Sequence, residues 1–323
     1  MPVHAFLFPG QGSQSVGMGA DLAQAFPSAR EVFEEVDDAL EQKLSTLMFS
    51  GEAEELTRTE NAQPALMAVS MAVLRVLERE GGLVLRDRVA LVAGHSLGEY
   101  SALAAAGTFG IAQAARLLRL RGREMQRAVP AGKGGMAALI GTDLAGAQAV
   151  CDEAAVLRVE GEPDRHEVIE IANDNGGGQV VISGVLPAVE RAVAIAKERK
   201  IKRAVLLPVS APFHSSLMAP AADAMGEALS RERLAAPCVP LVANVTAAKV
   251  SDPDTIRDLL VRQVTGTVRW RESVEAMAAM GVDSIVELGA GKVLAGLVKR
   301  INGDVATASV GTPADIEAIL KTF

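Results

Sequence analysis

The stretch RVALVAGHSLGEYSALAA, residues 88–105, decides the fold. Arg88–Ala93 is a short apolar run and predicts a buried strand. Leu97–Ala105 predicts a helix that begins directly after it. Between them lies Gly94-His95-Ser96-Leu97-Gly98, a G-x-S-x-G in the strand–turn–helix setting that a nucleophile elbow requires. A serine on so sharp a turn needs small residues two before and two after it, or side chains would collide. The turn pushes the hydroxyl out, toward the positive N-terminus of the following helix, where anionic intermediates are favoured. The plainer alternative is a glycine-rich turn with an incidental serine. Strand and helix on both sides favour the nucleophile.

Working outward, strand-like runs alternate with helical ones, the pattern of an α/β fold with a parallel sheet. Val3–Phe8 predicts a strand stopped by Pro9-Gly10. Asp37–Leu47, Ala62–Glu80 and Ile111–Arg127 predict helices. Texture changes at the glycine-rich Pro130–Gly135, a hinge. Beyond it strands are expected at Met136–Ile140, Val168–Ala172, Val180–Gly184 and Ala204–Val209, with helices at Leu144–Ala155 and Pro187–Lys200. That β-α-β-β-α-β order is the ferredoxin-like unit. The polar Arg158–Glu167 reads as a surface loop within it. Strands at Val239–Ala243 and Ser284–Glu287, and helices at Asp252–Gln263 and Ser273–Met280, then continue the first pattern. The expectation is a large α/β-hydrolase-like domain, residues 1–132 and 207–323, carrying an inserted ferredoxin-like domain, residues 133–206.

Composition narrows the function. The 323 residues are 49% apolar and 22% charged, which excludes a disordered chain, a collagen and a long coiled coil. Only 3% are aromatic and the formal net charge is −8, against a nucleic-acid binder. Cys151 and Cys238 have no metal-ligand spacing and read as small buried hydrophobes, which suits a reducing cytoplasm. The N-terminus lacks a basic region before its apolar run, unlike a signal peptide. The longest uncharged run, 204–222, holds three prolines and a histidine and is no membrane span. A cytoplasmic monomer is expected, with no nucleic-acid or membrane partner.

A serine nucleophile needs a base. Of four histidines, His4 begins a strand, His166 sits in a charged loop, and His95 should point away from its neighbour Ser96. His214, in a loop stiffened by Pro212, remains. Arg121 stands out by phase: Arg116, Arg119, Arg123 and Arg127 share one helix face, taken as solvated, while Arg121 lies with Leu117, Leu118 and Met125. It serves either an internal salt bridge or a fork for a substrate carboxylate. The glycines of Pro9–Gln14 do not make G-x-G-x-x-G, and Gly289-Ala290-Gly291-Lys292 lacks the P-loop Ser/Thr, so both nucleotide readings fail. The Pro9–Gln14 turn is either a plain tight loop or one whose N–H groups help bind an oxyanion. The basic run Lys197–Arg203 is either a solvated helix end or a contact for an acidic partner.

Taken together, the chain resembles the malonyl-CoA:acyl carrier protein transacylases. The matching segments are FPGQGSQ (8–14), TENAQPAL (59–66), GHSLGEYSAL (94–103), RGREMQ (121–126), GQVVISG (178–184), VSAPFHSSLM (209–218), NVTA (244–247), VRQV (261–264) and VELGAGKVL (286–294). The resemblance implies that Ser96 accepts the acyl group with His214 as its base. Gln11 and Leu97 would supply the oxyanion-hole N–H groups, and Arg121 would clamp the malonate carboxylate. Gln263 would orient His214 through its main-chain carbonyl. Gln63, Met125, Asn173 and Asn175 would line the site. Leu97 and Phe213 resemble the malonyl-selective version of related domains. No cofactor is implied; malonyl-CoA and phosphopantetheinylated acyl carrier protein would be substrates. The basic run and the Arg116/Arg119/Arg123 face are the two candidate docking surfaces for the carrier. Three alternatives stay open. A serine hydrolase should place a carboxylate behind the histidine. The others are a transacylase for a branched malonyl unit and a non-catalytic scaffold that docks carrier protein.

Overall fold

A computed structural model describes residues 3–158, 162–209 and 211–321. Its strands are, in chain order, β1 (His4–Phe8), β2 (Val89–Gly94), β3 (Gly134–Ile140), β4 (Val156–Leu157), β5 (Arg165–His166), β6 (Ile169–Asp174), β7 (Gln179–Val185), β8 (Arg203–Leu206), β9 (Leu241–Ala243), β10 (Ala248–Val250), β11 (Ser284–Leu288) and β12 (Ala306–Val310). Six of them form one sheet in the order β10-β9-β2-β1-β11-β12. Every neighbouring pair in it is parallel except β9–β10. This is an α/β fold around a mixed, mostly parallel sheet.

The continuous apolar runs of β1 and β2 follow from burial of both sheet faces. Phe6, Phe8 and Val92 point into one core, and Ala5, Leu7, Leu91 and Ala93 into the other. The first core is built largely on the helix Thr59–Arg79, whose Leu66, Val69, Val73 and Leu77 are all buried. The second holds Trp270, Val274, Met277, Leu294 and Val298. The helix Ile111–Ala128 lies against Thr59–Arg79 at Gly122, where an added Cβ would sit 2.5 Å from the Glu60 Cα. Only a glycine permits that approach, and it brings Gln63 and Arg121 together.

The other sheet runs β6-β7-β3-β8 and is antiparallel throughout. The helices Leu144–Ala154 and Leu186–Glu198 pack on it around Val150, Cys151, Val189 and Ala192. Contacts of several kinds tie it to the first sheet's side of the molecule, among them Thr267 Oγ1 donating to the Ile171 carbonyl and Arg271 to Asp174. Asn173 bridges to Val268, and an added Cβ on Gly134 would meet Pro212 at 2.5 Å.

Several expectations need correction. Asp37–Leu47 is not one helix: the helix Pro27–Leu40 ends at Glu41, whose φ is 50°, and a second helix spans Leu44–Ser50. Asp37 joins them by accepting hydrogen bonds from the Ser45 N–H and hydroxyl, a use for a buried carboxylate that periodicity does not reveal. Within Arg158–Glu167, residues 159–161 lie outside the described residues, and Arg165–His166 pairs with Val156–Leu157 as a two-stranded ribbon. Edge strands β10 and β12 carry no strong apolar alternation and were not expected. Arg119 is not on a solvated face: it is 9% exposed and donates to Gln42 Oε1. Among the described residues no helix is long and apolar enough to cross a membrane.

Gly122→Ala forces backbone against backbone where these two helices cross. It should lower stability by roughly 1–3 kcal/mol, as overpacking does elsewhere, read as a fall in the thermal midpoint. An unchanged midpoint would show that the crossing has slack.

Candidate active site

The elbow is built by exclusion of side chains. Ser96 has φ 55°, in the left-handed region. A Cβ on Gly94 would come within 1.9 Å of the Gly98 carbonyl oxygen, and one on Gly98 within 2.1 Å of the Phe8 carbonyl oxygen. Both glycines are therefore demanded by the turn and by the end of β1 beside it. Left-handed backbone at a non-glycine residue costs about 1–3 kcal/mol and persists only where the surroundings hold it. Here Asn244 does so. It is fully buried, accepts from the Ser96 N–H at 2.8 Å through Oδ1, and donates to the Gly94 carbonyl at 2.7 Å through Nδ2.

Ser96 Oγ lies 2.7 Å from His214 Nε2. His214 is 3% exposed and also has positive φ, 56°. Ser215 Oγ closes its turn by donating to the Pro212 carbonyl. The His214 Nδ1–H is held by two main-chain oxygens, those of Gln263 at 2.9 Å and Gly266 at 3.2 Å. That fixes the tautomer: Nδ1 donates, so Nε2 is free to accept the serine proton. The groups behind the histidine are carbonyls, where a serine hydrolase of the usual kind places a carboxylate. Burial, then the positive charge of Arg121, pushes the His214 pKa down to about 3.

Arg121 is 1% exposed. Among the described residues its hydrogen-bond acceptors are all neutral: Gln63 Oε1 at 2.8 Å, Gln263 Oε1 at 2.9 Å and Ser96 Oγ at 3.2 Å. Its Nε–H has no partner there, and its guanidinium lies 5.8 Å from the Tyr100 ring centre. A buried cation without a contacting anion is costly. Among the described residues no internal salt bridge is made, and the guanidinium lies beside the serine.

These groups border a cavity of about 470 Å³. Its apolar wall includes Met125, Met136, Leu207, Val209 and Phe213; Gln11, Gln63 and Asn173 supply polar atoms. Gly10 has no Cβ to collide with the His95 carbonyl, which would be 2.8 Å away, so the turn after β1 lies against the elbow. Among the described residues neither the Gln11 nor the Leu97 N–H has an acceptor. Asn175 does not line the cavity. Its Oδ1 accepts a hydrogen bond from His95 Nε2 at 2.9 Å. His95, expected to point away, does line the cavity.

Two residues carry more than the sequence suggested. Gln263 acts through its side chain as well as its carbonyl: Nε2 donates to Ser96 O at 2.9 Å and Glu99 Oε2 at 2.7 Å. Asn244 sits in a matched segment, NVTA, but nothing in its spacing announces contact with a turn 148 positions away. VELGAGKVL is structural: Glu287 accepts from the N–H groups of Leu294 and Ala295, capping the helix Val293–Ile301.

The acyl transferase domain family matches residues 5–312. The malonyl CoA-acyl carrier protein transacylase of Escherichia coli strain K12 is 47% identical over 99% of this chain and all of its own length. The acyl-carrier-protein S-malonyltransferase structure from Bartonella henselae is 57% identical, with a TM-score of 0.93 and 99% of both chains covered. A malonyl-transacylase solved in complex with its type II PKS acyl-carrier protein is 43% identical, with a TM-score of 0.93, covering 99% of this chain and 100% of that one.

A buried neutral histidine links stability to acid. Unfolded histidine binds a proton below its ordinary value of 6.5, whereas native His214 resists until about 3. Stability from this group is therefore present above 6.5 and lost as pH falls toward 3, by up to about 1.4 kcal/mol per pH unit. His214→Asn should flatten that loss relative to wild type in chemical denaturation. Parallel curves for the two proteins would refute it. With this geometry and these relatives on record, the chain belongs to the malonyl-CoA:acyl carrier protein transacylase family.

Proposed function

We propose that the protein transfers the malonyl group from malonyl-CoA to the phosphopantetheine thiol of acyl carrier protein, through a malonyl ester on Ser96, to supply fatty-acid elongation. The observation that carries this is a buried guanidinium without a contacting anion, 3.2 Å from the nucleophilic oxygen. Malonyl is a thioester acid: its free carboxylate fits Arg121 while its carbonyl meets Ser96.

In the first half-reaction Ser96 Oγ gives its proton to His214 Nε2 and attacks the thioester carbonyl. The oxyanion rests on the N–H groups of Gln11 and Leu97, each worth about 3 kcal/mol in comparable sites. His214 then gives the proton to the departing CoA thiolate. In the second, the carrier's thiol loses its proton to His214 and takes the malonyl group. The Gln263 carbonyl keeps the imidazole aligned throughout. A malonyl carboxylate on Arg121 also neutralises the charge that disfavours a proton on His214, so the substrate itself strengthens the base. Both substrates come and go; the residues form a site that needs no resident cofactor. Gln63, Met125, Asn173 and Phe213 shape the acyl pocket.

The domain division follows the same reading. We take residues 133–206 as an inserted ferredoxin-like unit, supported by the strand order β6-β7-β3-β8 with two helices between them. Residues 1–132 and 207–323 form the hydrolase-like unit, supported by the elbow after β2. The cavity then lies where they meet. The protein works as a cytoplasmic monomer, without nucleic acid or membrane. Of the two docking candidates, Lys197–Arg203 suits an acidic carrier better. Lys197, Lys200, Lys202 and Arg203 are exposed, and the run leads along β8 to Leu207 and Val209 in the cavity wall.

Intact-protein mass spectrometry after brief mixing with malonyl-CoA should find a malonyl adduct on the wild type, none on Ser96→Ala, and its discharge by holo acyl carrier protein. Free malonate accumulating without an adduct would make the protein a hydrolase. Arg121→Ala should cost about 100-fold in malonyl loading, the scale of a lost charge-assisted pair, and let acetyl-CoA compete. Undiminished discrimination against acetyl-CoA would refute the carboxylate clamp.

A further inference from the structure

We propose that Glu99 is a positioning residue for acyl-group selection: its carboxylate sets the sense of the Gln263 side-chain amide, which in turn aims the Arg121 guanidinium into the cavity. The inference rests on the malonyl-transfer reading of the site.

An amide side chain has two faces of opposite polarity and nearly equal shape, so packing alone does not orient it. Gln263 is fully buried. Its Nε2 faces three oxygens that only accept, Glu99 Oε2 at 2.7 Å, Ser96 O at 2.9 Å and, more distantly, Asn244 Oδ1 at 3.3 Å. Its Oε1 faces Arg121 Nη2 at 2.9 Å. Turning the amide over would set oxygen against oxygens and N–H against guanidinium N–H. The guanidinium's second amide, Gln63, is oriented differently. Its Nε2 donates to the Thr59 hydroxyl, which itself donates to Gln11 Oε1. Both amides offer Oε1 to the guanidinium, but a hydroxyl both donates and accepts, so only at Gln263 is the nitrogen side held by a charge.

Glu99 is an expensive way to fill its place. It is 1% exposed, no cation contacts it among the described residues, and Oε1 has no hydrogen-bond partner there. Its remaining contact is the Asn244 N–H, which donates to Oε2 at 3.2 Å. A glutamine would fill the same volume without burying a charge. What the carboxylate adds is obligate acceptance on both oxygens, and a negative charge one amide removed from Arg121. Burial raises the Glu99 pKa to about 7, with Gln263, Asn244 and Arg121 acting against that rise. The groups facing it are Gln263 from the helix Pro253–Thr265, Asn244 after β9, Arg121 from Ile111–Ala128 and the adjacent Tyr100. Of these only Arg121 and Tyr100 ionise, and both keep their protons near neutral pH.

The test compares loading of Ser96 by malonyl-CoA and by acetyl-CoA. Both loadings use His214 as base, and the variant's flat ratio across pH separates Glu99 from any difference in how the two acyl groups bias that base. Glu99→Gln should lower the malonyl-to-acetyl ratio about tenfold, the scale of one charge-assisted hydrogen bond. The wild-type ratio should fall as pH is lowered from about 8 to about 6 while Glu99 gains its proton, and the variant's ratio should stay flat. A variant ratio within twofold of wild type, or a wild-type ratio independent of pH, overturns the proposal. If Glu99→Gln does not fold, the wild-type pH arm decides alone. A wild type that takes no malonyl group at all defeats the transfer reading and this inference together; a malonyl-loading wild type with an unmoved ratio defeats only the inference.

Discussion

A guanidinium buried among neutral partners governs the arrangement of everything around it. Arg121 is nearly inaccessible and touches no carboxylate among the described residues. Dry protein penalises such a charge by several kcal/mol. Two glutamine carbonyls and the serine hydroxyl offset part of that penalty, and the Tyr100 ring adds a cation–π contact. No contacting anion among the described residues offsets the remainder. After burial, the same charge lowers the basicity of His214.

The second constraint is crowding at the elbow. β1, β2 and the helix Gly98–Ala105 approach so closely that two positions admit no side chain, and the left-handed Ser96 is the consequence. Strain of that kind needs supports from elsewhere. Asn244 straps the turn on both sides, and Gln263 reaches the Ser96 carbonyl from a separate helix. Gln263 thus serves three masters: its main-chain oxygen aligns His214, its amide oxygen holds Arg121, and its amide nitrogen ties down the elbow. Ser96, His214 and Arg121 are one hydrogen-bonded unit, so changes within it should be far from additive.

Much of this was legible along the chain. The elbow needs only a local pattern, because strand, turn and helix are contiguous and the glycine spacing is a steric demand. Arg121 betrayed itself by phase on an amphipathic helix, and His214 by elimination among four histidines. Short-range signals misled where tertiary contacts dominate. Arg119 has the phase of a solvated residue yet is buried against Gln42. Asp37 looked like the start of a helix and instead lies in the last turn of one, accepting hydrogen bonds from the first turn of the next. Edge strand β10 pairs with β9 just before it and β12 with the more distant β11, yet the residues of both hardly alternate.

The sequence by itself determined the α/β class and the strand–turn–helix around Ser96, and it singled out His214 and Arg121, because each reading rests on periodicity, on elimination among few histidines or on residues a few positions apart. Only the tertiary structure decided what Arg121 touches, that the Gly266 carbonyl joins that of Gln263 at the histidine, and that Glu99, Asn244 and Gln263 close a buried network around the serine. Hydrogen bonds between residues 19 to 167 positions apart leave no periodic trace in a chain. They exist because packing brings the donors and acceptors into one dry place, where each must find a partner.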